Sequence, residues 1–173
     1  MKREEMETLS ETIDLRYILG IMNSKYANIL LVNQRGGDFH IYADHLRNIP
    51  IPQQNDNKLV ECVNKMLTLN SDLQQKRSRF LRRLQENMPG IKINGALETS
   101  DNLDFAGFVA ELKKQKIKLT LVQQDEWEEY FNQYKTECQS LKTQIATTDK
   151  EIDKKVYALY GLTEDEVKVV EGK

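Results

Sequence analysis

The sequence is poor in residues that break or cross-link a chain, with 3 prolines, 8 glycines and 2 cysteines among 173 residues. So little proline and glycine argues against collagen-like and low-complexity chains. Cys62 and Cys138 lie far apart, which is not the spacing of a metal-binding pair, and no export signal is evident. We therefore expect a reduced, cytoplasmic chain. The most apolar stretch, residues 18–32, is too short and too polar to span a bilayer.

An excess of charge of one sign is also missing. The chain has 25 Lys and Arg against 27 Asp and Glu, which gives a formal net charge of −2. Any affinity for nucleic acid must therefore come from local basic patches rather than from the whole chain.

Sequence signatures of DNA-modifying catalysis are absent or misplaced. The prolines at 50, 52 and 89 are never adjacent, so the chain has no Pro-Pro-aromatic loop for holding a flipped adenine. Asp104 with Glu111-Leu112-Lys113 has the letters of a magnesium nuclease. These letters fall in a helical pattern, where residues two apart point to different faces, so we interpret them as surface charge. We predict no catalytic residue.

Binding signatures for metals or nucleotides are equally weak. Gly36-Gly37 opens no helix and is interpreted as a turn. His40 and His45, the 2 histidines, have no nearby cysteine or paired acid. We interpret them as a strand residue and a loop residue rather than as metal ligands, and we expect no metal or cofactor in this chain.

Helical periodicity is the strongest signal that is present. Two segments keep a 4-3-4-3 spacing of mostly apolar residues, which predicts two coiled-coil-like helices, each roughly 45–60 Å long. The positions are 59, 63, 66, 70, 73, 77, 80 and 84, then 127, 131, 134, 138, 141, 145, 148 and 152. Trp127, Phe131 and Tyr134 fall on this seam, so we interpret them as core residues rather than as a base-stacking platform.

Stop and cap signals delimit these helices. Pro89-Gly90 ends the first, Thr120 with Gln123 caps the second, and Gly161 ends it. In the linker, Asp101 or Asn102 is predicted to cap a short helix over residues 105–116. Thr163 with Glu166 predicts a cap for a final turn. The linker length allows the second helix to return antiparallel to the first.

The N-terminal part has a different pattern. Residues 11–33 predict a largely buried helix that ends at Gly36-Gly37. Phe39-His40-Ile41-Tyr42 alternates like a short strand, and residues 46–52 should be extended, because a residue before proline disfavours the helical conformation. The predicted fold is mainly α: a long antiparallel helical hairpin with a small α subdomain at its tip (residues 89–121), a short N-terminal helix and a minor β segment.

Two basic stretches are candidates for contact with DNA phosphates, which position a protein without reading sequence. One contains Lys113, Lys114, Lys116 and Lys118, and the alternative for it is a solvated helix face. The other contains Arg79, Arg82 and Arg83. The acids at positions 125–129 would neutralise these arginines across an antiparallel hairpin, which is the alternative for the second stretch.

Three stretches resemble one known family. Leu19-Gly20-Ile21-Met22-Asn23-Ser24-Lys25 is similar to a helix of TaqI-like specificity domains. Ile49-Pro50-Ile51-Pro52 resembles the exit from a target-recognition domain into its helical spacer. Residues 152–171 (IDKKVYALYGLTEDEVKVVE) resemble the end of combined restriction endonuclease–methyltransferases.

This resemblance implies the C-terminal specificity region of such an enzyme. Residues 11–52 would be the tail of the target-recognition domain and 53–173 the helical spacer with its inserted subdomain, while residues 1–10 would be disordered or the start of a fragment. The implied role is non-catalytic DNA recognition and scaffolding for N6-adenine methylation and cleavage. The parent enzyme would use S-adenosylmethionine and magnesium.

The implied partners are double-stranded DNA and the catalytic domains of the same enzyme or a companion subunit, with no membrane. If this chain itself reads bases, the residues to test are His40, Tyr42 and Arg47. The alternative is a protein-interaction coiled coil that does not bind DNA.

Overall fold

The structure is a computed structural model that describes residues 13–36, 40–53 and 56–172. This part of the chain contains eight α-helices, one short 3-10 turn and no strand. The helices are α1 (Leu15–Met22), α2 (Lys25–Arg35), α3 (Ala43–Arg47), α4 (Asn57–Asn87), α5 (Gly95–Glu98), α6 (Phe105–Lys114), α7 (Leu121–Leu159) and α8 (Glu164–Val170). The prediction of a mainly α fold is confirmed. The expectation for residues 1–10 lies outside the described residues.

The described residues form two compact units. The terminal unit consists of those up to Leu67 together with those from Ala146 onward, and the central unit is Thr68–Ile145. Both units contain part of α4 and part of α7, so each has its own core between the two long helices.

The long helices pack together as a hairpin, as the heptad spacing predicts. In the terminal unit, Leu59 and Val63 near the start of α4 share a core with Ile152 and Val156 near the end of α7. In the central unit, the Phe80 ring stacks on the Tyr134 ring at a centroid distance of 4.1 Å. The pairing of early α4 residues with late α7 residues makes the two helices antiparallel.

Aromatic side chains fill the core of the central unit. Phe80 and Phe131 are fully buried, with centroids 5.9 Å apart, and Trp127 packs edge-on to Phe80 while remaining half-buried. Full burial of such a side chain contributes roughly 1.5–3 kcal/mol. The prediction that Phe131 and Tyr134 are core residues is confirmed, whereas Trp127 is only partly buried.

The linker between the long helices folds onto the same core. Leu97 of α5 and Phe108 and Leu112 of α6 are completely buried there. Asp104 caps α6, since its Oδ1 accepts the Gly107 N–H at 2.7 Å. The predicted cap at Asp101 or Asn102 is therefore wrong, because Asp101 is buried in a short 3-10 turn instead.

The single N-terminal helix predicted over residues 11–33 is two helices. Asn23 and Ser24 interrupt it, and their side chains donate to the carbonyls of Leu19 (2.9 Å) and Ile21 (2.7 Å). Such local bonds compete with the helical ladder. Ser24 then caps α2 by accepting the Ala27 N–H. Gly36 ends α2 in the left-handed conformation, as predicted.

The predicted minor β segment is not a strand where the structure describes it. His40 and Ile41 have no regular structure, and Tyr42 is the cap residue of α3, while Phe39 lies outside the described residues. Alternating side chains form a strand only beside a partner strand, and the described residues offer none. Leu46 and Arg47, expected to be extended, belong to α3, because Pro50 disfavours helix only at the residue before it.

Candidate functional site

The three stretches that carry the family resemblance meet in the terminal unit. The first contributes Gly20, where α1 lies so close to α4 that a Cβ atom would be 2.8 Å from Val63 Cγ2 and 3.0 Å from Leu59 Cδ1. Only a residue without a side chain permits this approach without a shift of its neighbours. Gly20 therefore sets the distance between the two helices.

The same stretch is tied to the last by Asp153, which is almost fully buried. Its Oδ1 accepts the Lys25 backbone N–H at 2.9 Å, and its Oδ2 lies 3.5 Å from Lys25 Nζ. Lys25 is the first residue of α2, whose N-terminal N–H groups favour a negative charge. Asp153 thus fastens α2 to α7.

The middle stretch is held by two tyrosines. Tyr17 donates its hydroxyl to the Pro52 carbonyl at 3.2 Å, and Tyr160 donates to the Pro50 carbonyl. The Tyr160 ring also packs on Tyr26 at a centroid distance of 4.5 Å. Burial raises the pKa of Tyr160 to about 12, so the hydroxyl remains a proton donor at neutral pH. We call these contacts of Gly20, Asp153, Tyr17 and Tyr160 the junction.

An ion cluster fixes the linker of the central unit to the hairpin. The carboxylate of Asp101 is fully buried and accepts two hydrogen bonds from Arg77. It also forms an ion pair with Lys142. Burial acts to raise the pKa of Asp101, but the bonds from Arg77 and Lys142 outweigh it and hold that pKa below its usual range. Lys135 Nζ also donates to the Leu103 carbonyl at 2.6 Å.

The four lysines predicted to contact DNA are all exposed on the central unit, at the end of α6 and in the loop after it. Lys114 pairs with Glu111 at 2.5 Å. No ion pair among the described residues involves Lys113, Lys116 or Lys118. Three of the four charges are therefore available to a partner.

Sequence reasoning missed a fifth lysine at this surface. The Gln115 side chain forms two hydrogen bonds with the backbone of Lys92: Oε1 accepts its N–H at 2.8 Å, and Nε2 donates to its carbonyl at 2.9 Å. Lys92 is exposed. The two positions are 23 residues apart, and no periodic pattern connects them.

The arginine candidates are exposed, but two of them already form ion pairs and are not free to contact DNA phosphates. Arg82 and Arg83 both pair with Glu86 of their own helix, at 3.7 and 3.1 Å. Arg79 is exposed beside Lys76, which pairs with Glu137. None of the ion pairs in the described part of the chain joins these cations to the acids at 125–129, so neutralisation comes from other carboxylates than the expected ones.

The third candidate group lies in the terminal unit. The His40, Tyr42 and His45 rings contact one another in sequence, with centroids 6.1 and 5.5 Å apart, and Tyr42 is exposed. Arg47 pairs with Asp44 at 2.8 Å on the same short helix. The structure therefore brings His40 and Tyr42 together and adds His45, while Arg47 already has a partner.

One family model matches the chain, and it covers more than half of it. The model, Domain of unknown function (DUF8810), matches residues 52–156. The chain belongs to this family. Searches among curated proteins and among solved structures found no match.

The DUF8810 match contains the whole central unit, including the five lysines and the Asp101 cluster. It begins at Pro52 and ends at Val156, so Gly20 and Tyr160 of the junction lie outside it, as do His40, Tyr42 and Arg47. We call Lys92, Lys113, Lys114, Lys116 and Lys118 the lysine surface. Both this surface and the arginine candidates belong to the DUF8810 part of the chain.

The residues that resemble a magnesium nuclease in letters have other contacts in this DUF8810 protein. No group of three or more His, Cys, Asp or Glu within them could hold a metal ion. Asp104 is occupied as a helix cap, and Glu111 lies within α6 paired with Lys114. No helix in the described ranges is long and apolar enough to cross a membrane.

Proposed function

We propose that this chain is a non-catalytic DNA-recognition and scaffolding part of a restriction–modification enzyme. The observation that supports this most is the junction, in which three stretches far apart in sequence contact one another. Pro50 and Pro52, in the stretch that resembles the exit from a target-recognition domain, are both fixed by tyrosine hydroxyls. A module attached through this segment would be held in a fixed orientation on the helices.

The lysine surface supplies the second part of the proposal. DNA phosphates attract exposed lysines without regard to base sequence, and such contacts fix the register of a protein on the duplex. Lys113, Lys116 and Lys118 have the exposure that phosphate contact requires, and none of them forms an ion pair with another described residue. The chain would then bind DNA weakly, with strong salt dependence and little sequence preference.

Reversal of charge tests the DNA-binding part. We expect that changing Lys113, Lys114, Lys116 and Lys118 to Glu abolishes retention on a mixed-sequence duplex and lowers the slope of log affinity against log salt. The matched control changes four exposed lysines of the terminal unit, Lys58, Lys65, Lys150 and Lys154, and should retain most of the affinity. Equal loss in both variants would mean that total charge, not this surface, drives binding.

The chain should neither cut nor methylate DNA when magnesium and S-adenosylmethionine are supplied. The motivation is the absent Pro-Pro loop and the helical placement of Glu111. Cleavage that disappears in Glu111→Ala would contradict a non-catalytic role.

A protein-interaction scaffold is the second candidate, and exposed leucines on α1 favour it. Leu15 is 74% exposed, and Leu19, four residues later on the same helix face, is 40% exposed. If Leu15→Ser with Leu19→Ser releases the chain from its companion catalytic domains, while the four-lysine reversal leaves DNA retention intact, this second role replaces the first.

A further inference from the structure

The lysine surface contains one residue in an unusual backbone conformation. Lys116 has φ +63°, and the other described residues with positive φ are glycines at 36, 90, 161 and 172. Side chains other than that of glycine are disfavoured there by contact between Cβ and the backbone. A strained residue at an exposed position points to a role for its side chain.

The conformation of Lys116 follows from the way α6 ends. The Ile117 N–H donates to the Leu112 carbonyl at 3.1 Å and the Lys116 N–H to the Lys113 carbonyl at 3.0 Å, which is a Schellman motif. Leu112 belongs to the core and Ile117 packs against it, so the turn is fixed from inside the unit. Glycine is the preferred residue at the position that Lys116 occupies.

The residue before Lys116 connects the turn to a distant segment. Gln115 holds the Lys92 backbone by two hydrogen bonds of 2.8 and 2.9 Å. This places Lys92 beside the turn that carries Lys113, Lys116 and Lys118. None of these four lysines takes part in an ion pair within the described part of the chain.

We propose that Lys92, Lys113, Lys116 and Lys118 form one phosphate-binding surface for a nucleic-acid backbone, in which Gln115 is the positioning residue for Lys92. The proposal rests on the proposed function and deepens it. A duplex carries a negative charge about every 1.7 Å along its axis, so neighbouring lysines can contact phosphates together. In this arrangement, Lys116 supplies one of these contacts from a backbone position that favours glycine.

Replacement of Lys116 separates binding from stability. In K116G, removal of the strain should raise the melting temperature, while affinity for a mixed-sequence duplex falls roughly fivefold to tenfold near 0.1 M salt and the salt slope drops by about one. K150Q, on an exposed lysine of α7, is the control and should change neither quantity appreciably. A K116G protein that binds as tightly as the wild type overturns the role of Lys116.

The role of Gln115 requires a double-mutant cycle. Q115A should weaken DNA binding although it removes no charge, and K92Q should weaken it more than Q115A does. Added to K92Q, the change Q115A should have no additional effect on affinity, since its effect acts through Lys92. Equal effects of Q115A in both backgrounds would overturn the positioning role. The melting temperatures of K92Q and Q115A should be close to that of the wild type, which would exclude misfolding as the cause of weaker binding.

The outcomes distinguish this inference from the proposed function. If wild-type protein does not bind the duplex at low salt, both fail. If the four-lysine reversal abolishes binding while K116G, K92Q and Q115A do not weaken it, only the composite surface fails. Binding of polyglutamate as tight as that of the duplex would assign the surface to an acidic protein and overturn the nucleic-acid assignment.

Discussion

Arg77 binds the buried carboxylate of Asp101 through two hydrogen bonds. Its Nε donates to Oδ1 at 2.9 Å, and its Nη2 donates to Oδ2 at 3.0 Å. Arg77 lies in α4, and Asp101 lies in the linker turn 24 residues later. Paired bonds of this kind are both strong and directional. They fix the linker to the hairpin and so position α6, which carries Lys113 and Lys114 of the lysine surface.

Removal of the Asp101 charge should therefore destabilise the protein. We expect Asp101→Asn to lower the free energy of unfolding by about 3 kcal/mol, because Arg77 loses its partner in a poorly solvated position. Chemical denaturation followed by circular dichroism measures this. Asp125→Asn, at an exposed acid of α7 that forms no ion pair with another described residue, is the control and should change stability little.

The contribution of Asp101 to the free energy of unfolding should also depend on pH. Because its pKa in the folded protein is depressed, the stabilisation is fully present above the unfolded value of about 3.9 and is lost as the pH falls through the folded value. The difference between wild type and Asp101→Asn should thus shrink below about pH 4. A difference that stays constant down to pH 2 would argue against the ion pair as its cause.

Phe131 should be a major contributor to the core of the central unit. Its ring is fully buried and stacks on Phe108 at 5.0 Å. Phe131→Ala should cost roughly 3–5 kcal/mol, from lost burial and the cavity left behind. Urea denaturation tests this against Leu121→Ala, where the side chain is 75% exposed and little change is expected. Similar losses in the two variants would contradict the core assignment.

The close approach at Gly20 gives a steric prediction. Gly20→Ala places a methyl group 2.8 Å from Val63 Cγ2, so either α1 or the Val63 and Leu59 side chains must shift, at a cost of about 1–3 kcal/mol. Gly95→Ala is the matched control, because nothing lies within 4 Å of its added Cβ. That variant should be neutral or slightly stabilising in a thermal melt. A Gly20→Ala protein as stable as the wild type would show that this contact does not set the helix spacing.

Tyr160 tests the junction through its hydroxyl. Tyr160→Phe removes the bond to the Pro50 carbonyl and should cost about 1 kcal/mol at neutral pH. The pKa of Tyr160 is raised to about 12, so its stabilisation is present below the unfolded value and is lost as the pH rises from about 10 toward 12. Stability measured across this range should fall more steeply for the wild type than for Tyr160→Phe.

Local signals predicted much of the secondary structure. The capping box of Thr163 with Glu166 is present, with the Thr163 N–H donating to Glu166 at 2.8 Å, and Thr120 with Gln123 forms the same arrangement. Gly161 ends α7 with positive φ, as expected. These features depend on residues three or four positions apart, and such spacing can be read directly from the chain.

Errors arose where a pattern needed a partner or met a competing side chain. The alternation around Tyr42 looked like a strand, but no neighbouring strand exists in the described residues. The periodicity of residues 11–33 continued through Asn23 and Ser24, whose side chains bond to the backbone and break the helix. Four of the five members of the lysine surface were predicted, whereas Lys92 was not.

The sequence by itself determined the two long helices, because a 3.5-residue repeat buries one stripe of each helix, and the length of the linker allowed their antiparallel pairing. Tertiary structure decided which distant residues meet: Arg77 with Asp101, Gln115 with Lys92, and Tyr160 with the Pro50 carbonyl. These contacts join positions separated by 23 to 110 residues, where no periodicity relates one side chain to the other. They depend on the packing of the linker and of the terminal helices, because packing is what brings the two partners of each bond within reach.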